Sequence, residues 1–347
     1  MPDRVVIRCD FGSRRGMGHL ARCRVLADAL SATGLEPLFA IGPEGRPERL
    51  ADFPYAVAGS PAGSGSARHA DWLAGLVAEA AVRWLVVDMR DDLPPALLQE
   101  IRSRGVAVLV LDDPGERRLA ADLAVYPPVP QLDSWSWAGF DGELLRGWDW
   151  VLVDPRFAGA AGGQGKVRER PRLLLTMGGS DPAQMTERAL AALQPLQDRL
   201  QLVLVRGPAF GARPQLDAAV DGWQGDLELV RGGDLARLAA GADLALAAFG
   251  VTAYELAAAG LPALYLGLSE DHCAACEALV EAGMAECLGV ADQVPAARMT
   301  RHVARLLDDA DRRRRMAAAG PRFVDGRGAW RLAQRMTGHA QGSSRIA

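Results

Sequence analysis

The chain has 347 residues, 49% apolar and 24% charged, and its 39 lysines and arginines against 43 aspartates and glutamates leave a formal charge of −4. That length suits roughly two domains with separate cores, and the charge balance offers no basic excess for nucleic acid. No uninterrupted apolar run of about 18 residues could span a membrane, and Asp3, Arg4 and Arg8 stand where a signal peptide needs an apolar stretch, so a cytoplasmic protein is expected.

The first apolar run, residues 5–9, predicts a buried strand that ends at Asp10. It is followed by Gly16-Met-Gly18-His19-Leu-Ala-Arg22, a glycine-bearing loop that opens a helix over 18–32. Glycines let backbone approach a phosphate closely, and free N–H groups at a helix start favour negative charge. A histidine in that first turn is a candidate base. The loop is no P-loop, because no Lys-Ser or Lys-Thr follows the glycines, and the dinucleotide pattern Gly-x-Gly-x-x-Gly fails at Ala21. The structural alternative is a tight strand-to-helix turn that His19 merely caps.

Further strands are predicted at 36–41, 84–88, 107–112 and 123–126, with helices at 66–81 and 95–104. Short apolar runs alternating with amphipathic helices imply parallel strands with crossover connections. Between 127 and 150 the pattern dissolves into proline, tryptophan and glycine and reads as loop and junction. Residues 158–170, rich in glycine and charge, read as a linker. The expected division is therefore 1–157, a linker at 158–170, and 171–347.

The second half restarts the same grammar, with strands at 172–176, 200–206, 227–230, 244–248, 263–266 and 285–288. Gly178-Gly179-Ser180-Asp181-Pro182 ends the first of these and opens a helix from about 182, with Ser180 or Asp181 as cap. That loop is either simply well capped or a phosphate site. Phe249-Gly250-Val251-Thr252 followed by Glu255 reads as a capping box, and equally as an anion site with a carboxylate one turn in, placed for ribose hydroxyls. Asp271 and His272 open the next helix, as surface residues or as substrate contacts. The last 45 or so residues read as helical, with a polar tail after Met336 expected to be disordered.

Two doubly wound domains bind ligands in the crevice at the carboxyl ends of their strands, where both glycine loops fall. His69, His302 and His339 receive no role. Five cysteines do not form a disulfide framework, and Cys273 and Cys276, though preceded by His272, lack a second pair at zinc spacing. They read as core or boundary residues, and Arg312 to Arg315 as a solvated helix face.

The motifs together resemble the nucleotide-sugar hydrolases of pseudaminic acid biosynthesis and the related spore-coat polysaccharide proteins. They run in order as Arg8-Cys-Asp10, Gly16-x-Gly18-His19-x-x-Arg22-Cys, Val86-Val-Asp88, Leu111-Asp-Asp113, Leu152-x-x-Asp-Pro-Arg-Phe157, Gly178-Gly179-Ser180-Asp-Pro182 and Gly250-Val251-Thr252-x-x-Glu255-x-x-x-x-Gly-Leu-Pro262. The resemblance covers most of the chain. It implies an α/β protein of the GT-B type, with two Rossmann-like domains facing a cleft and the nucleotide held mainly by the second. It further implies inverting hydrolysis of a UDP-linked bis-acetamido trideoxy sugar, with His19 activating water and Asp10, Arg22, Asp88, Phe249, Asp271 and His272 among the substrate contacts.

Such chemistry needs one base opposite the leaving group, and helix starts can stabilise the departing diphosphate without a cofactor or metal. Two places depart from the resemblance: Asp88-Met89-Arg90 stands where the family has Asp-His-Tyr, and Asp271-His272 where it has Asn-Gln. The expected partner is a UDP-sugar, with neither nucleic acid nor membrane insertion. A glycosyltransferase of the same fold and a non-catalytic nucleotide-sugar binder are the competing readings.

Overall fold

The computed structural model describes residues 3–12, 16–45, 50, 53–63, 65–79, 82–90, 93–158 and 169–343. The first half contributes β1 (Arg4–Cys9), α1 (Gly18–Ala32), β2 (Glu36–Ile41), β3 (Ala56–Gly59), α2 (Ala67–Glu79), β4 (Val82–Asp88), α3 (Pro95–Ser103), β5 (Ala107–Leu111), β6 (Leu123–Tyr126), β7 (Glu143–Arg146) and the short α4 (Pro155–Ala158). Its strands form one parallel sheet in the order β3-β2-β1-β4-β5-β6-β7.

The second half supplies β8 (Arg172–Thr176), α5 (Met185–Leu193), β9 (Gln201–Arg206), α6 (Pro214–Asp221), β10 (Asp226–Arg231), α7 (Leu235–Ala240), β11 (Leu244–Ala248), α8 (Val251–Ala258), β12 (Ala263–Gly267), α9 (Glu270–Glu281) and β13 (Ala285–Val290). These strands form a second parallel sheet, β10-β9-β8-β11-β12-β13. Three helices close the chain: α10 (Ala296–Asp308), α11 (Ala310–Phe323) and α12 (Gly328–Ser343).

The central strands are near-continuous Val, Ile and Leu because helices cover both faces of each sheet, so no face alternates with water. Val5, Val6 and Ile7 of β1 and Leu173, Leu174 and Leu175 of β8 are fully buried. In each sheet the connections reverse direction at one place, between β1 and β4 in the first and between β8 and β11 in the second. A crevice opens at such a reversal outside the carboxyl ends of the strands. Register puts Cys9 beside Asp88 there in the first sheet, and Thr176 beside Ala247 in the second.

Several expectations are corrected. The stretch 127–150 is not all loop, for it holds the edge strand β7, and the edge strand β3 also joins the first sheet. The helix after the Gly178 loop starts at Met185 rather than near 182. Nor are residues 337–343 disordered, because α12 runs on through Met336 to Ser343. That helix returns to the first sheet: Ala329, Leu332, Ala333 and Met336 share a core with Val5, Ile7 and Leu26. Arg335 on it reaches Glu143 of β7, Nε to Oε1 at 3.3 Å. The expected linker lies almost wholly outside the described residues.

Candidate functional site

The two reversal points face each other. A methyl built on Gly18 at the start of α1 would lie 3.2 Å from Val251 Cγ2 at the start of α8, and one on Gly179 only 2.6 Å from Met17 Cγ and 3.2 Å from its backbone nitrogen. The loop after β1 thus meets both the loop after β8 and the helix after β11. Gly179→Ala should wedge this contact apart and lower kcat/KM by about tenfold or more, since small misplacements of positioning elements are costly. Thermal stability should barely move. Steady-state kinetics beside a thermal melt checks both, and unchanged kcat/KM would show that the contact is dispensable.

Neither helix start is closed by its own side chains. The residue before α1 is Met17 and that before α8 is Gly250, and no side chain caps either helix. First-turn N–H groups lack intrahelical partners, so both ends offer donors and partial positive charge toward the cleft. The expected capping box therefore does not form. Thr252 sits inside the helix, and its hydroxyl hydrogen-bonds the Glu255 carboxyl one turn on.

His19 does not cap α1 either. Its Nδ1 lies 2.6 Å from Asp88 Oδ1 at the end of β4. Asp88 is wholly buried, and Arg22, one turn further along α1, clamps it bidentately, Nε to Oδ2 at 2.6 Å and Nη2 to Oδ1 at 2.5 Å. Burial works to raise the carboxyl's pKa, but Arg22 and His19 outweigh it and hold Asp88 well below the usual carboxylate range. An ionised carboxylate only accepts, so the proton between the pair belongs to Nδ1. Arg22 Nη2 also approaches that nitrogen, at 3.3 Å, but this is the longer and weaker contact. In the neutral ring this tautomer presents Nε2 as the acceptor, the arrangement a general base needs.

A second carboxylate, Asp112, ties this pair to its surroundings. It follows β5 in a left-handed conformation, φ 50°, and accepts from Arg22 Nη1 at 3.0 Å and from Arg90 Nη2 at 2.9 Å. In the sequence Asp112 stands within the motif Leu111-Asp-Asp113 but is assigned no role.

Asp10 follows β1. Its Oδ1 accepts from buried Arg8 at 2.6 Å, while its buried Oδ2 has no hydrogen-bond partner among the described residues. Arg8 also donates to His69, whose pKa burial and the neighbouring guanidinium push down to about 4. Gly16 closes the loop by pairing with Gly12 through two backbone bonds, 2.8 and 3.0 Å, at a φ of 74° that suits glycine.

On the facing side Gly178 takes φ 79°, Gly179 carbonyl accepts from Ala209 N–H at 2.9 Å, and Ser180 Oγ is buried with no partner among the described residues. Asp181, not Ser180, anchors the following helix by accepting from Met185 and Thr186 N–H, at 2.8 and 3.0 Å. Phe249 is buried against Tyr254, Tyr265 and His272 and forms a floor beneath His272. His272 feels Arg90 and Asp112 across the cleft, and burial, then Arg90, lowers its pKa. Asp271 does not pair with it; the Asp271 carbonyl accepts from Gln131 Nε2 at 2.8 Å. Among the described residues no group of three His, Cys, Asp or Glu could hold a metal, and no helix is long and apolar enough to cross a membrane.

Burial above all, and then the nearby Asp154 charge, push Glu255 up to about 7, against the opposing Thr252 bond. A carboxyl whose folded pKa is raised stabilises the fold below its unfolded pKa of about 4.5, and that contribution is lost as pH rises through about 7. Glu255→Gln should therefore melt several degrees above the parent at pH 8, with the gap closing toward pH 5. A gap independent of pH would mean the carboxyl is not held protonated.

Two parallel doubly wound sheets meeting at the carboxyl ends of their strands define the GT-B fold, and the molecule has it. No protein-family model matches the chain. The spore coat polysaccharide biosynthesis protein SpsG of Bacillus subtilis (strain 168) is 23% identical over 332 residues, covering 94% of this chain and 96% of that one. The crystal structure of Acinetobacter baumannii MurG superposes with a TM-score of 0.70 at 17% identity, over 97% of this chain and 99% of the other. The spinosyn rhamnosyltransferase SpnG, complexed with thymidine diphosphate, gives 0.67 at 16% identity, over 96% and 100%.

Proposed function

We propose that the protein is a nucleotide-sugar hydrolase that releases UDP from a UDP-linked 2,4-diacetamido-2,4,6-trideoxy sugar, in polysaccharide or nonulosonic acid biosynthesis. The observation that carries this reading is the His19–Asp88 pair at 2.6 Å, held by Arg22 beside the uncapped starts of α1 and α8. The Gly178–Ser180 loop and the N–H groups of Val251 and Thr252 receive the diphosphate, and Glu255 the ribose hydroxyls. His19 Nε2 takes a proton from water, whose oxygen attacks the anomeric carbon. The bond from that carbon to the phosphate oxygen breaks, its electron pair leaves with UDP, and the configuration inverts. Helix-start donors stabilise the charge that develops on the leaving oxygen.

The similarity to a spore coat polysaccharide biosynthesis protein, at 23% identity, agrees with a place in polysaccharide biosynthesis. Arg90 and His272, where the family has other residues, are the groups that would set a different sugar preference. The test is UDP release from UDP-2,4-diacetamido-2,4,6-trideoxy-β-L-altropyranose in water alone. Turnover is the expected result, and its absence across bis-acetamido UDP-sugars would sink the hydrolase. A second reading, transfer to an acceptor hydroxyl with the same base, is favoured by the likeness to a rhamnosyltransferase. Release of UDP only when an acceptor is added would select it.

A further inference from the structure

Tyr254 is the fourth residue of α8, and Phe249 and Trp148 pack edge-on against its ring, with centroids 6.2 and 6.4 Å away. The side chain is buried, yet its hydroxyl has no hydrogen-bond partner among the described residues. A buried hydroxyl left unpaired costs desolvation without return, so such a group calls for a reason. Its position supplies one. Val251 and Tyr254, three apart, share one face of α8, and Val251 is the residue that meets Gly18 of α1. That face looks toward the first domain.

The hydroxyl there feels Asp112 of the first domain, then the Cys276 thiol of α9, then Arg22, which joins Asp112 to Asp88 and through it to His19. Burial keeps the phenol protonated and hence a donor. Ser180 Oγ, the other buried unpartnered hydroxyl of this cleft, lies 4.0 Å from where a methyl on Gly16 would sit.

We propose that Tyr254 is a substrate-binding residue whose hydroxyl donates to an oxygen of the sugar, and not of the nucleotide, when a nucleotide sugar occupies the cleft. The assignment rests on the nucleotide-sugar reading above. It separates two jobs on one helix: the α8 start and Glu255 serve the nucleotide, while Tyr254 reaches past the diphosphate to the end of the ligand that His19 faces.

The experiment is calorimetric titration of UDP and of UDP-2,4-diacetamido-2,4,6-trideoxy-β-L-altropyranose into the full chain, in a His19→Ala background so that the sugar nucleotide survives. Adding Tyr254→Phe should weaken the sugar nucleotide by about tenfold and UDP by less than about twofold, the scale of one lost hydrogen bond. Melting of the free protein should hold or rise, because the phenylalanine ring keeps the packing and removes an unpaired hydroxyl. Equal losses on both ligands, no loss on either, or a lower melting temperature would each overturn the assignment. A His19→Ala parent that binds neither ligand, with the wild type equally inert, sinks the nucleotide-sugar reading itself and the role of Tyr254 with it.

Discussion

His19→Ala should lower kcat for UDP release by about a thousandfold, the scale of a lost general base, while UDP binds within about a factor of two of wild type. The two readouts separate because the nucleotide is assigned to the second sheet, whereas His19 stands at the end of the first. The fold should tolerate the change, since Asp88 keeps both of its bonds from Arg22 at 2.6 and 2.5 Å. A discontinuous assay of UDP release with a parallel UDP titration decides it. Retention of more than a tenth of the wild-type rate would remove His19 from the chemistry.

Asp88→Asn should be as damaging by a different route. The amide no longer holds the proton on Nδ1 and can instead donate to that nitrogen, which moves the ring proton to Nε2 and takes away the base. Loss of a buried orienting aspartate of this kind reaches about 10⁴-fold in the serine-protease triad, and a loss of about 10³- to 10⁴-fold is expected here. The variant also removes one of the two anions paired with Arg22, leaving it only Asp112 at 3.0 Å, at a cost of up to about 3 kcal/mol in stability. Activity and chemical denaturation measured together separate the effects. A variant destabilised but nearly fully active at low temperature would show that Asp88 serves only the fold.

Most of this arrangement was legible because its parts are local. A strand followed by Asp10, a glycine loop and a histidine in the next turn fall within a dozen residues. The same holds for Gly178 to Ser180 and for Phe249 to Glu255; the first stretch lies at the reversal point of the first sheet, and the other two flank that of the second. Asp112 stands in a motif but receives no role from the sequence because its partners Arg22 and Arg90 lie 90 and 22 residues away, and its left-handed backbone leaves no mark in the sequence. The strands β3 and β7 escaped notice because each is only four residues long and half exposed, too short for a recognisable pattern. Thr252 and Glu255 have the spacing of a capping box, but the helix begins one residue earlier, at Val251, so tertiary contact with α1 and not local capping sets that end.

The last helix gives the chain an unusual order of assembly. The sheet that carries His19 is the first to be synthesised, yet four apolar side chains of its core, Ala329, Leu332, Ala333 and Met336, come from α12 near the other end. As the ribosome releases the chain, the second sheet has all of its strands before the first has its closing helix. The first unit therefore waits with an uncovered apolar face, and the structure that positions the catalytic candidate is completed only after the nucleotide-facing half exists. Contacts between segments this far apart in sequence also carry a loop-closure entropy, so this docking belongs to the slow end of folding. A nascent chain stalled before α12 would hold a formed second sheet beside an unfinished first.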